Sequence, residues 1–231
     1  MSNTVYPAKF GVATDAEIAA LAPVQSVNGS TGAVTVTVPP TREASFTTPP
    51  TTGWSALNGS ATLTSFAANT GGAMVAVAPA GATNDLHLQT RSLPAVGDFT
   101  LIACVRSYGP MGGNGWGGIG VSDGTKATML AVWFTGLVYL TYWSNLTTFS
   151  ADRAANFYGG SGYPAGRKTW VKLVRSGSNR IWSVSLNGLD WTQVLSQTWT
   201  TDLTPDRICF GCNVNSAAGA ATVELLSWET T

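Results

Sequence analysis

From Trp54 onward the chain alternates between apolar and polar positions with a period of two. Phe99, Leu101, Ala103 and Val105 alternate with Thr100, Ile102, Cys104 and Arg106. Leu130, Val132 and Phe134 alternate with Ala131 and Trp133, and Val138, Leu140 and Tyr142 with Tyr139, Thr141 and Trp143. Side chains on a strand point to opposite faces in turn, so this pattern predicts strands with one apolar face. Further strands are predicted at Ala61–Phe66, Met74–Ala78, Thr169–Arg175, Ile181–Leu186, Arg207–Val214 and Thr222–Trp228. Turn residues separate them: Asp123-Gly124, Ser176 to Asn179, and Asn187-Gly188. Regular short strands with no second helical stretch predict an all-β sandwich or barrel. The inward positions by alternation are Phe99, Leu101, Val105, Ile119, Val121, Leu130, Val132, Phe134, Val171, Leu173, Trp182, Val184, Leu186, Ile208, Phe210, Val223 and Leu225.

The first forty residues follow a different pattern. Thr14 to Ala22 reads as a short helix, with Thr14 and Glu17 as a capping box, Ile18, Leu21 and Ala22 as its apolar stripe, and Pro23 as its stop. A helix this short is not stable alone in water, so it needs something to pack on. Val24 to Val38 then reads V-Q-S-V-N-G-S-T-G-A-V-T-V-T-V, β-branched residues around an Asn-Gly turn, which is a strong hairpin signal. Pro-Pro pairs at 39–40 and 49–50 stiffen the spacer that follows. The expected organisation is an N-terminal segment, 1–40, and a sandwich domain, 41–231.

Composition narrows the partners. Charged residues are 10% of the 231, and the formal net charge is zero. Nucleic-acid binding needs a basic stripe to neutralise phosphates, so it is not expected. No apolar run is long enough to form a membrane-spanning helix, and the N-terminus lacks the pattern of a secretory signal. The three cysteines, Cys104, Cys209 and Cys212, are an odd number. Positions 209 and 212 of a strand point to opposite faces, so C-x-x-C reads as two small buried residues, not half a zinc site. No metal or cofactor is expected.

Two resemblances give the pattern an identity. V-N-G-S-T-G-A-V-T-V resembles the V-N-G-K-T-G-A-V-T-L element near the N-termini of bacteriophage fibres, spikes and other virion-surface proteins, with Ser30 in place of Lys. It implies that Ile18, Leu21, Val24, Val27, Val34 and Val36 serve virion attachment or oligomerisation, as a homotrimer. Lys168 to Trp191 resembles a hairpin of the concanavalin-A-like (laminin-G-like) jelly rolls, with Trp170, Leu173, Arg175 and Gly177 in its first half. Ser185, Asn187, Gly188 and Trp191 fill its second half. That resemblance implies two stacked antiparallel sheets, one concave, with glycans bound on the concave face or nearby loops in many relatives.

Candidate chemistry follows. Glycosidases need two carboxylates across the scissile bond. The E-x-D-x-x-E run of the concanavalin-A-like endoglycanases is missing, so the domain is expected to lack enzymatic activity. His87 lies between Leu86 and Leu88, which places it on the outward face of a strand. Aromatic residues within glycine-rich stretches are the better lead, because sugar rings stack on Trp and Tyr. Two apparent loops, Tyr108 to Gly118 and Trp143 to Arg167, supply the glycan-binding candidates Tyr108, Asn114, Trp116, Trp143, Arg153, Asn156, Tyr158 and Tyr163.

The resulting expectation is a virion structural protein on the surface of a phage or phage-like particle, made in the bacterial cytoplasm. It would be held to other virion proteins by residues 1–40 and would bind host-surface polysaccharide through the jelly roll. Two alternatives stand beside it: a capsid-decorating or cementing protein that binds no sugar, and a polysaccharide-cleaving glycanase.

Overall fold

In the computed structural model the alternating runs become strands, and their apolar faces meet between two antiparallel sheets. The structure describes residues 53–58, 62–66, 73–94, 97–109, 115–134, 137–157, 166–216 and 219–231. All of them belong to one compact unit, Arg42–Thr231. The expected helix and hairpin, and with them Ile18, Leu21, Val24, Val27, Val34 and Val36, lie outside the described residues.

The first sheet has the edge-to-edge order β1 (Ser55–Leu57), β4 (Gly81–Ser92), β13 (Arg207–Ser216), β6 (Trp116–Ser122), β7 (Ala127–Trp133), β8 (Val138–Asn145) and β9 (Thr148–Phe157). The second has the order β12 (Thr192–Thr198), β11 (Asn179–Ser185), β10 (Thr169–Ser176), β5 (Phe99–Tyr108), β14 (Ala221–Thr230), β3 (Ala73–Ala78) and β2 (Thr62–Phe66). This is the concanavalin-A-like jelly-roll sandwich: β6 to β9 run in sequence within the first sheet and β10 to β12 within the second, while the chain crosses between sheets at β3–β4, β4–β5, β5–β6 and β13–β14, among others.

The main core fills the space between the sheets. It takes every predicted inward residue except Leu186, which lies just past the end of β11 and is half-buried. Leu101, Leu130, Leu173, Trp182 and Phe210 have no exposure. The tight turns fall where Gly supplies a left-handed backbone, as at Gly177 with φ +58° between β10 and β11.

The first sheet is also buried on its other face. Leu86, Leu88, Trp116, Met129, Ala131, Trp143 and Cys209 form a second cluster there, with Leu57, Trp133, Tyr139 and Leu146 around it. A sheet covers its own outer face only if it curls, and three glycines allow this. A Cβ on Gly118 would lie 2.1 Å from the Leu130 carbonyl oxygen, one on Gly120 2.3 Å from that of Thr128, and one on Gly211 2.0 Å from that of His87. On the concave side the neighbouring backbones lean in so far that no side chain fits. At the open end of the curl, the Leu86 amide donates to the Leu146 carbonyl at 2.8 Å, so the β8–β9 turn meets β4.

This corrects several expectations. Gly117 and Gly118, expected in the loop Tyr108 to Gly118, lie in β6, where Gly118 with Gly120 allows the curl. Residues 148–157, within the expected loop Trp143 to Arg167, form β9, because Thr148 to Phe157 pairs with β8 through repeated register shifts that disturb the alternation. His87 is buried on the inter-sheet face, because Leu86 and Leu88 serve the second core. Alternation identifies the apolar face of a strand but not which of two buried faces it is. Cys209 and Cys212 do point to opposite faces, into the second and the main core respectively.

Candidate functional site: a cleft at the mouth of the sandwich

Where the two sheets part at one end, an open cleft of about 390 Å³ lies between β4 and β14. Its wall and floor include Arg91, Ser92, Leu93, Ile208, Trp228 and Thr230. Arg91 reaches it because β4 places Asp85, His87, Gln89 and Arg91 on the inter-sheet side. Arg91 is registered against Ile208 of β13 and is the exposed end of that row.

Trp228 reaches it through a bulge. In β14, Leu225 faces Val105 and Ser227 faces Cys104, so the register slips by one residue between them. Val105 is in the main core and Cys104 on the opposite face of β5. Without the slip, Ser227 and Glu229 would point inward. With it, Trp228 and Thr230 do, and a bulge of this kind re-aims side chains. Trp54 braces the wall: its ring meets Trp228 edge-on with centroids 5.1 Å apart, and meets Phe210 at 5.0 Å. The indole N–H of Trp54 is buried without a partner among the described residues.

The charge of the cleft is one-sided. Arg106 pairs with Glu224 at 2.6 Å, Arg153 with Asp202, and Arg207 with Asp206 at 2.6 Å. Arg91 has no hydrogen-bond or ion-pair partner among the described residues, and no carboxylate among them lines the cleft. The site thus offers a guanidinium, an indole and the Thr230 hydroxyl beside an apolar floor.

The residues expected to bind glycan are not gathered in one place. Trp116 and Trp143 are packed in the second core, 2% and 1% exposed, with ring centroids 5.8 Å apart. The Trp143 indole N–H donates to Thr141 Oγ1 at 3.1 Å, so neither ring is open to a sugar. Tyr108 is exposed on the outer face of the second sheet, with the Arg106 guanidinium 5.3 Å from its ring centre. Partial burial raises its phenol pKa, helped by the Glu224 charge and opposed by Arg106. Arg153 lies over the Tyr142 ring and is held by both Asp202 oxygens. Asn156 is in β9. Asn114, Tyr158 and Tyr163 lie outside the described residues. Trp228 and Arg91 were missed, although Leu225-Leu226 breaks the alternation between Val223 and Trp228 and marks the bulge.

Two other polar clusters are structural in form. His87 Nε2 lies 2.9 Å from Asp85 Oδ2, and Asn58 Nδ2 donates to Asp85 Oδ1 at 2.6 Å. Arg180, with no exposure, donates to the Thr201 carbonyl at 2.6 Å and lies 4.0 Å from Asp202. Burial pushes its pKa down to about 10 against the pull of Asp202. No group of three His, Cys, Asp or Glu placed to hold a metal ion occurs among the described residues.

No protein-family model matches the chain, and no curated protein matches it in sequence. Solved structures share its fold. A functionally unknown protein from Saccharomyces cerevisiae matches with TM-score 0.52 and 15% identity, over 78% of this chain and 96% of that one. An engineered GH43 glycoside hydrolase with endo-xylanase and exo-arabinofuranosidase activity matches with TM-score 0.52 and 13% identity, over 73% of this chain and 36% of that one. The carbohydrate-binding module CBM66 from Bacillus subtilis matches with TM-score 0.45 and 17% identity, over 77% of this chain and 94% of its own.

At 15% and 13% identity, the first two likenesses show the sandwich fold alone. That fold corrects the expectation of a domain without enzymatic activity. The same sandwich occurs within a glycoside hydrolase chain, so the missing E-x-D-x-x-E run does not by itself decide activity.

Proposed function

We propose that residues 42–231 recognise a host-surface glycan and that the chain is displayed on the surface of a phage or phage-like particle. In this reading residues 1–40 attach it to other virion proteins and assemble it as a homotrimer. The observation that carries it is the joining of V-N-G-S-T-G-A-V-T-V to a jelly roll whose open mouth combines Trp228, Arg91, Ser92 and Thr230. An aromatic face beside a few convergent polar groups is the usual make-up of a small-ligand site.

The concave face is a poor site here, because Trp116, Trp143 and Met129 occupy it. The mouth of the sandwich is therefore the favoured contact.

The test uses the full-length chain on an array of bacterial surface polysaccharides, with mass photometry for the assembly. Retention of at least one glycan and a trimeric mass are expected. A silent array would remove the recognition reading, and a monomer at micromolar concentration would remove the trimer. Release of oligosaccharides from a bound glycan would add cleavage to recognition.

A further inference from the structure

We infer that the cleft at the mouth of the sandwich takes a sugar bearing a carboxylate, with Arg91 as the partner of that carboxylate. The inference rests on the glycan-recognition reading and gives it a ligand class. Its basis is the contrast among the arginines. Arg106, Arg153, Arg180 and Arg207 each have an acidic side chain within 4.0 Å, and Arg175 has no acidic partner among the described residues but lies over the Trp199 ring, 4.8 Å from its centre. Arg91 is exposed, lines the cleft, and has neither a hydrogen bond nor an ion pair among the described residues. No described carboxylate lines the cleft to compete for it.

The rest of the site suits a sugar ring carrying that charge. A guanidinium presents a planar fork that matches a carboxylate through two parallel N–H···O bonds. Thr230, on the inward side of β14, offers a hydroxyl to ring substituents, and Trp228, braced by Trp54, offers an aromatic surface. The volume of about 390 Å³ lies at the small end of the ~300–1,000 Å³ range of ligand pockets, which fits one or two sugar units, not a long chain lying along a sheet. One guanidinium balances one negative charge, which favours a monoanion.

The experiment titrates the full-length chain with a panel of neutral, sulfated, uronic-acid and sialic-acid oligosaccharides and with the methyl ester of each acid. Binding of at least one acid is expected, with its ester bound at least ~10-fold more weakly, the worth of one hydrogen-bonded charge contact. Arg91→Gln should weaken binding of the acid by ~10–100-fold, and Arg91→Lys by less, because it keeps the charge and loses the fork. Arg91 is exposed, so an unchanged melting temperature for both variants is the folding control.

Equal binding of acid and ester, or acid binding untouched in Arg91→Gln, overturns the inference. Retention of neutral glycans that ignores Arg91 overturns it while leaving glycan recognition in place. Failure to bind any glycan overturns both. Sulfated oligosaccharides bound as tightly as the acids, with the same loss in Arg91→Gln, would overturn the carboxylate assignment and leave a charge-only site.

Discussion

Trp116 of β6 and Trp143 of β8 lie on strands separated by β7, yet their ring centroids are 5.8 Å apart. Neighbouring strands sit about 4.8 Å apart, so in a flat sheet two strands one removed would hold their side chains nearly 10 Å apart. The contact is possible because the first sheet curls around these rings. They act as the wedge of a second core, with Phe149 set edge-on to Trp143 at 5.8 Å. Trp143→Ala should therefore lower stability by about 3–5 kcal/mol, as for large aromatic deletions in cores. Tyr108→Ala, at an exposed ring, should change stability by less than about 1 kcal/mol. Urea unfolding of the two variants checks the contrast; equal losses would contradict the second core.

The curl itself depends on backbone contacts at glycine. Gly118→Ala and Gly211→Ala would place a methyl group 2.1 and 2.0 Å from a carbonyl oxygen of the neighbouring strand. Neither backbone can move without opening the sheet, so both variants should unfold or lose at least about 3 kcal/mol. Gly177→Ala meets nothing within 4 Å and has only its positive φ to overcome. It should lose about 1 kcal/mol. Melting temperatures ordered Gly177→Ala above Gly118→Ala and Gly211→Ala are the expected result.

Asp202 joins the two sheets through charge. It accepts from Arg153 of β9, with Nε at 3.0 Å, and lies 4.0 Å from the buried Arg180 of β11. Asp202 has φ +70°, which Asn tolerates, so Asp202→Asn removes the charge and keeps the backbone. The loss should be about 2–3 kcal/mol. That is below the ~3–5 kcal/mol of a fully buried pair, because Arg153 is 35% exposed. Arg153→Gln should lose less than about 1 kcal/mol, because Arg180 then keeps its counter-charge. A double-mutant cycle in chemical denaturation measures the coupling.

The buried thiols make the domain sensitive to alkali. Burial pushes Cys212 up to about 12 and raises Cys209 as well. An unfolded thiol titrates near ~8.5, so the folded state holds protons that the unfolded state releases. The stability these thiols contribute is whole below pH ~8.5 and is lost as pH rises towards 12. Denaturation midpoints should fall between pH 8 and pH 10.5, and fall less in the Cys209→Ala/Cys212→Ala variant. Under native conditions at pH 8 all three thiols, which are buried, should resist alkylation until the chain is unfolded.

The sequence by itself determined the all-β sandwich, most of its strands and its main core. Each inward run repeats with a period of two, and that period belongs to the backbone of a strand whatever it packs against. It also showed that Cys209 and Cys212 face opposite ways, for the same reason. Its reading of the site failed where position depends on partners distant in sequence. Trp116 and Trp143 look like exposed aromatics among glycines until the sheet curls and buries them together. His87 looks outward until a second apolar face appears behind Leu86 and Leu88. Trp228 reaches the cleft only because the register against β5 slips after Leu225, although the adjacent pair Leu225-Leu226 is a local trace of that slip. The tertiary structure decided where the two sheets part and which of two buried faces each side chain takes. Curvature and register arise from contacts between strands, and a one-residue slip moves every later side chain to the opposite face.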